Sequence, residues 1–575
     1  MAGVQRMGLA LILMALLAGC AAPQRPATSP SASAPTGASA PASPVAPKRI
    51  TVAVQGDPFT LNYQMSSASG FTPPGSEALE ELVNTGLATL DAKGVLMPML
   101  AEAVPTTENG LWTTLPDGRM ETTWKLKPNA VWQDGAPLTA EDLVFTAAVV
   151  RDREIGVFRD RAWDLIEAVT APDPRTITVR WNRPFIAADS MFTPQFAIPL
   201  PRHLLEAAYR DNKAGFTELP YWSDDFVGLG PFKLQSWERG SHLVVRAYDQ
   251  FVLGRPKVDE IEARFIKDPA TLIANILAGA VDFNMGRGLN LEEADDVRAR
   301  WAEGRLETAP YTWISAFPQF LTPDPPVVTD VQFRRAVMHA LDRQTWVDTF
   351  MRGLTGVAHS YLNPAEPEYR DIEAQIVKYD YDPRRAATLI EGLGYRRGTD
   401  GIFVDNANRK LSLEIRGNAG DELRRKVVFA MSDELTKVGV AAEPVIVPSQ
   451  RASDLEYVTN YPGFQITQRP NQLRSLSNMH SSQATTRENN WGGANISRYM
   501  NPEFDALLDR YYVTVDRQER NRIVGQVMNH LTDQVLILGF FYTIEPILVN
   551  NRMVNVMGRY PRSSHAWNAH QWDVK

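Results

Sequence analysis

The stretch ETTWKLKPNAVWQDGAPLTAED, residues 121–142, carries the reading of the fold. Trp124 and Leu126 alternate with polar neighbours, as on a strand with one buried face. Asp134-Gly135 is a turn signal. Thr139-Ala-Glu-Asp142 then has the spacing of a capping box, in which the Thr and Asp side chains satisfy each other's backbone N–H groups. Leu143, Ala147 and Val150 follow on one helical face. A strand, a turn and a capped helix thus lie within thirty residues of one another.

The same alternation of elements continues in both directions. ITVAVQ (50–55) and TITVRW (176–181) read as strands. FKLQSW and HLVVRA (232–237 and 242–247) flank Arg239-Gly240 and read as a hairpin. Asp268-Pro269, Asp330, Asp382-Pro383 and Asn501-Pro502 each open a helix, three of them with Pro at the first helical position, and Asp516 to Leu531 reads as the last long helix. Leu423, Val427, Ala430, Met431, Leu435 and Val438 form a stripe of period 3.6, stopped by Gly439. Strands and helices mixed throughout a chain of 575 residues define an α/β or α+β protein of more than one domain.

Composition narrows the function. With 59 Lys+Arg against 67 Asp+Glu the formal charge is −8, which leaves no basic footprint for nucleic acid. A single cysteine excludes a disulfide framework and any multi-Cys metal site. That cysteine is Cys20. Before it stand Arg6, an apolar run from Leu9 to Leu17, and the small pair Ala18-Gly19, the pattern of an export signal. Leu17-Ala18-Gly19-Cys20 resembles a bacterial lipobox, so Cys20 is expected to be diacylated and to anchor the chain at the extracytoplasmic face of a membrane. The Pro-, Ala- and Ser-rich segment to residue 47 is expected to act as a tether.

Catalytic signatures are sparse. There is no GxSxG elbow, no HExxH, no phosphate-binding loop and no EF-hand loop. Gly228-Leu-Gly230-Pro231 reads as a tight turn. His565 and His570 are the closest pair of histidines but lack companion ligands, so no metal site and no cofactor are expected. His480 reads as a satisfied polar group in a loop. Trp313 and Trp491 stand at positions suited to the wall of a ligand cleft.

Several stretches, taken in order, resemble the family-5 extracytoplasmic solute-binding proteins of ABC transporters, which include oligopeptide-, dipeptide- and nickel-binding members. These are MLAEAVP (99–105), WKLKPNAVWQDGAPLTAED (124–142), GLGPFKLQSW (228–237), PKVDEIEARFIKDPATLIANILAGAVD (256–282), the Arg334-Arg335-Ala336 and Ala340-Leu341-Asp342-Arg343 groups, and NPEFD (501–505). No single motif is specific, but the ordered set is.

The resemblance implies a two-lobed α/β periplasmic-binding-protein fold with a hinge and an additional subdomain. The implied division is a signal peptide at 1–19, a tether at 20–47, a first lobe from 48–90, 219–311 and 539–575, an inserted subdomain at 91–218, and a second lobe at 312–538. It also implies a monomer without catalytic activity that captures a peptide or other small solute and passes it to an ABC permease. A lipid-anchored hydrolase and a ligand sensor on the same fold are the competing readings.

Trp313, Ser315, Tyr461, Gln468, Arg469, Trp491 and Asn495 are the candidate ligand-binding residues. Peptide-binding relatives carry an Asp in the second lobe for the ligand's ammonium group. The corresponding segment here, YPGFQITQRPNQL (461–473), has no carboxylate and offers Arg469 instead, which favours an anionic or uncharged solute. Glu545, near the second hinge crossing, is the acidic residue able to stand in.

Overall fold

The computed structural model describes residues 46–68, 72–155, 161–418, 422–451, 454–561 and 563–575. Pro47–Lys575 is one compact unit. The signal, Cys20 and nearly all of the tether therefore lie outside the described residues. Among those described, no helix is long and apolar enough to cross a membrane.

The decisive stretch folds largely as its pattern requires. Met120–Lys125 is a strand whose Trp124 faces Ile177 across the ladder to Thr176–Trp181. Trp124 and Leu126 are fully buried. The strand ends at Lys125, Leu126 bridges to Ala101, and the chain folds back through Asp134-Gly135 to bridge Val131 to Pro137. Thr139 then caps the helix Ala140–Arg151, with a reciprocal bond from the Thr139 N–H to Asp142 Oδ2 at 2.9 Å. Leu143, Ala147 and Val150 are buried. This segment belongs to a four-stranded antiparallel sheet, whose side chains join the same core as the strand Arg49–Val54.

The main sheet has ten strands, in the order Ala441–Val447, Ser412–Asn418, Phe464–Arg469, Gly304–Pro318, Leu538–Asn550, Phe283–Asn284, Arg49–Val54, Glu260–Phe265, His242–Ala247, Phe232–Glu238. Its fourth and fifth members, Gly304–Pro318 and Leu538–Asn550, are the longest and run antiparallel. Their outer part, Gly304 to Pro310 against Ile544 to Asn550, adjoins the first half of the sheet. Their other part, from Trp313 onward, adjoins Phe464–Arg469 in the second half. The ladder between them slips between Pro310 and Trp313 and again between Ile314 and Ser315. One lobe thus passes into the other through two adjacent strands that are least regular where they cross, the construction of a hinge.

The segment Gly228 to Pro231 corrects a local expectation. Neither glycine needs a positive φ. A Cβ on Gly228 would lie 2.0 Å from the Val83 carbonyl oxygen, and one on Gly230 would lie 2.4 Å from the Asn84 nitrogen. The glycines are there for close backbone approach to the end of the helix Ser76–Val83. Gln133 locks the junction. Its Nε2 donates to the carbonyls of Val83, Gly230 and Phe232 at 3.1, 3.2 and 2.7 Å, and its Oε1 accepts from the Gly228 N–H.

Candidate functional site

A cavity of about 1700 Å³ lies between the inserted segment 91–218 and the second lobe, with Leu90 and Tyr560 of the first lobe at its edge. The inserted segment contributes Trp112, Arg183 and Phe196, and the second lobe contributes Arg474, Tyr512 and Arg517. Both signs of charge line it: Arg183, Arg474, Arg517 and Arg520 on one count, Glu108, Asp189, Glu366, Glu368, Asp509 and Asp516 on the other. Contacts cross the gap. The Arg474 guanidinium lies 5.6 Å from the centre of the Phe196 ring, a cation–π arrangement. Tyr560, from the C-terminal return of the first lobe, donates its hydroxyl to Glu366.

The second-lobe wall is well ordered by its own hydrogen bonds. The Tyr512 hydroxyl accepts from the Ser477 N–H at 2.7 Å and donates to the Arg474 carbonyl at 2.9 Å. Burial pushes its pKa up to about 12. His480 accepts the Ser482 N–H at Nδ1 and lies 3.6 Å from an Asp509 oxygen, so it is a satisfied group as expected, but one on the cleft wall.

None of the seven candidate residues from the sequence lines this cavity. The structure gathers them inside the second lobe. Trp313 lies opposite Arg469, and Ser315 opposite Thr467, on the ladder between Gly304–Pro318 and Phe464–Arg469. Trp313 is buried edge-on against Tyr361, with ring centres 5.3 Å apart. Ser315 is fully buried. Gln468 Nε2 donates to Thr312 Oγ1 at 2.9 Å, tying the two strands together. Tyr461 is buried, and its hydroxyl donates to the Ile496 carbonyl at 3.1 Å. Asn495 is buried, with Nδ2 donating to the Tyr499 carbonyl at 2.9 Å. Trp491 is half-buried, 6.0 Å from the Arg498 guanidinium.

Arg469 donates to the Ala494 carbonyl at 3.2 Å, and its guanidinium lies 5.9 Å from the centre of the Phe317 ring. That placement removes the ground for an anion held by Arg469 in the cleft. Phe464 and Gln465 pair on both edges, while Gln468 and Arg469 pair only with Gly304–Pro318 and are half-buried. Residues 472–483, directly after Phe464–Arg469, reach the cavity instead.

A second, smaller cavity of about 250 Å³ adjoins the first. Pro194 and Arg559 line the smaller one, while their chain neighbours Gln195 and Tyr560 line the larger. It is walled by Tyr63, Tyr311, Arg287 and four carboxylates, Glu77, Glu80, Glu81 and Glu545. Glu80 accepts from Asn62 Nδ2 at 3.2 Å. Burial raises Glu80 to about 8 and Glu81 to about 7, because the low-dielectric interior disfavours the charged form. Glu545 is paired with Arg559, whose Nε and Nη2 both donate to Oε2, the former at 2.9 Å.

His565 and His570 do not form a site. His565 is buried and accepts the Gly286 N–H at Nδ1, and His570 packs on Phe251. Among the described residues no group of three or more His, Cys, Asp or Glu is placed to hold a metal ion.

Two lobes of mixed α/β structure, joined by two crossing strands and enclosing a cleft, define a solute-binding protein of the periplasmic type. The model of the bacterial extracellular solute-binding proteins, family 5 Middle, matches residues 96–489. The chain belongs to that family. Oligopeptide-binding protein AppA of Bacillus subtilis is 22% identical over 534 residues, 91% of either chain. The periplasmic oligopeptide-binding protein of an oligopeptide ABC transporter from Thermotoga maritima superposes with a TM-score of 0.74 at 17% identity, over 92% of this chain and 99% of its own. NikA from Brucella suis, solved in complex with Fe(III)-EDTA, gives a TM-score of 0.70 at 16% identity, over 92% and 100%.

Proposed function

We propose that this protein captures an extended, peptide-sized solute in the interlobe cleft and hands it to an ABC importer, without chemical conversion. The observation that carries the reading is the cleft's volume of about 1700 Å³. Sites for single small molecules measure roughly 300–1,000 Å³. Walls bearing both charges and several aromatic rings suit a solute with repeated polar groups and variable side chains. The names of the Bacillus and Thermotoga relatives, both oligopeptide-binding, agree with it. The lipobox-like Cys20 supports retention at the extracytoplasmic membrane face, within reach of a permease.

Native mass spectrometry of the purified full chain tests this. The expected result is a mass increment from a co-purifying solute, released unaltered on denaturation. Release of a chemically changed product from an added candidate would replace the binding reading with an enzymatic one.

A further inference from the structure

The smaller chamber holds a buried acceptor that the pairings around it do not satisfy. Among the described residues, four carboxyl groups and two guanidiniums, Arg287 and Arg559, line it. Arg559 is engaged at all three nitrogens: Nε and Nη2 both go to Glu545 Oε2, and Nη1 donates to the Ser563 carbonyl at 2.9 Å. Arg287 is exposed and lies over the Tyr311 ring, 4.7 Å from its centre. The other oxygen of Glu545, Oε1, is buried and has no hydrogen-bond partner among the described residues, although Glu545 is only 1% exposed. A buried carboxylate oxygen left unpaired is costly. The residue is therefore shaped for a donor that comes from outside the chain.

We infer that this chamber receives a primary alkylammonium group of the solute, with Glu545 Oε1, Glu80 and Glu81 as acceptors and the rings of Tyr63 and Tyr311 as walls. An ammonium brings three N–H donors and one positive charge. It matches a site whose buried Glu545 Oε1 lacks a donor, and its charge favours the ionised forms of the neighbouring carboxyls. The inference rests on the cleft reading and places one end of the solute. It also supplies, from the first lobe, the acidic contact that residues 461–473 lack.

Proton linkage is the second consequence. The groups facing Glu80 and Glu81 are Tyr63 and Glu77 from the N-terminal segments, Arg287 and Tyr311 from the middle of the chain, and Glu545, Arg559 and Ser564 from the C-terminal return. Both carboxyls are raised by burial and hold protons near neutral pH. An arriving ammonium favours their ionised form, so binding releases protons.

The test uses the full chain and three probes: tetra-alanine, N-acetyl-tetra-alanine, and N-acetyl-Lys-Ala-Ala-Ala. They carry an α-ammonium, no ammonium and an ε-ammonium respectively. Calorimetry should show at least one cationic peptide binding tenfold or more tighter than the acetylated neutral one, with proton release at pH 6.5. Glu545→Gln should reduce that preference to less than threefold. If it fails to melt cooperatively, Glu81→Gln, which leaves the Arg559 pair intact, should do the same.

Which cationic peptide wins identifies the source of the ammonium. Equal or tighter binding of N-acetyl-tetra-alanine overturns the chamber assignment and leaves the cleft reading standing. So does a preference that survives both substitutions. If no probe binds while a solute still co-purifies, the chamber assignment is overturned and solute capture stands. Absence of any co-purifying solute counts against capture itself.

Discussion

Glu80 shows how a single residue carries information that its sequence context does not. It sits on a helix, SEALEELV, whose other residues are also largely buried. Its carboxyl is raised to about 8 by burial. In the unfolded chain the same group titrates in the ordinary carboxylate range. Between those values the folded state holds a proton that the unfolded state has released, so stability falls as pH rises. The contribution is fully present below the unfolded pKa and is lost as pH rises through about 8. Each deprotonating group costs on the order of 1 kcal/mol per pH unit in that window. Thermal melts of the ligand-free chain from pH 5 to pH 9 should show this decline. Glu80→Gln, neutral at every pH, should flatten it; a decline of unchanged slope would show that Glu80 is not the group responsible.

Elements are where the sequence was most legible. Helix starts at Thr139, Asp268, Asp330, Asp382, Asn501 and Asp516 appear at those residues in the structure. The stop at Gly439, with φ of +105°, is also as read. Capping is local chemistry, decided within four residues, and so it survives in sequence. The loop at Gly228 is the contrasting case. Its glycines face a helix end almost 150 positions earlier in the chain, and no local pattern reveals that partner. Gly228→Ala would place a methyl 2.0 Å from a backbone oxygen that Gln133 also holds in place. We expect a loss of at least about 3 kcal/mol, the upper end of the overpacking range, read as a lowered denaturation midpoint with unchanged m-value. A loss under about 1 kcal/mol would mean that the junction yields easily.

The whole molecule is expected to act through its hinge and through the proposed lipid anchor at Cys20. A solute bound in the native cleft at 100 times its dissociation constant should stabilise the chain by ~2.7 kcal/mol. Closure about the strands Gly304–Pro318 and Leu538–Asn550 should at the same time reduce the radius of gyration in solution scattering. Stabilisation without compaction would indicate a cleft already closed before binding. At the other end of the chain, Cys20→Ser should release the protein from membranes into the soluble fraction, since no acyl chain then holds it. Retention after a high-salt wash would refute lipid anchoring at that residue.

The sequence by itself determined the α/β class, most of the capped helices, the main hairpin and the family, because these rest on local periodicity, capping and ordered short motifs. The binding wall was decided only in three dimensions. Trp313, Gln468 and Arg469 look like cleft residues when read one by one, but the fold packs Trp313 on Tyr361 and holds Gln468 and Arg469 in hydrogen bonds to Thr312 and Ala494. The cleft is lined instead by Trp112, Arg183, Arg474 and Tyr512, from segments hundreds of positions apart. Glu80, Glu81 and Glu545 likewise become one acidic chamber only when the chain's C-terminal return lies against its first helices. Juxtaposition across such distances is set by sheet order and hinge geometry, which no window of sequence contains.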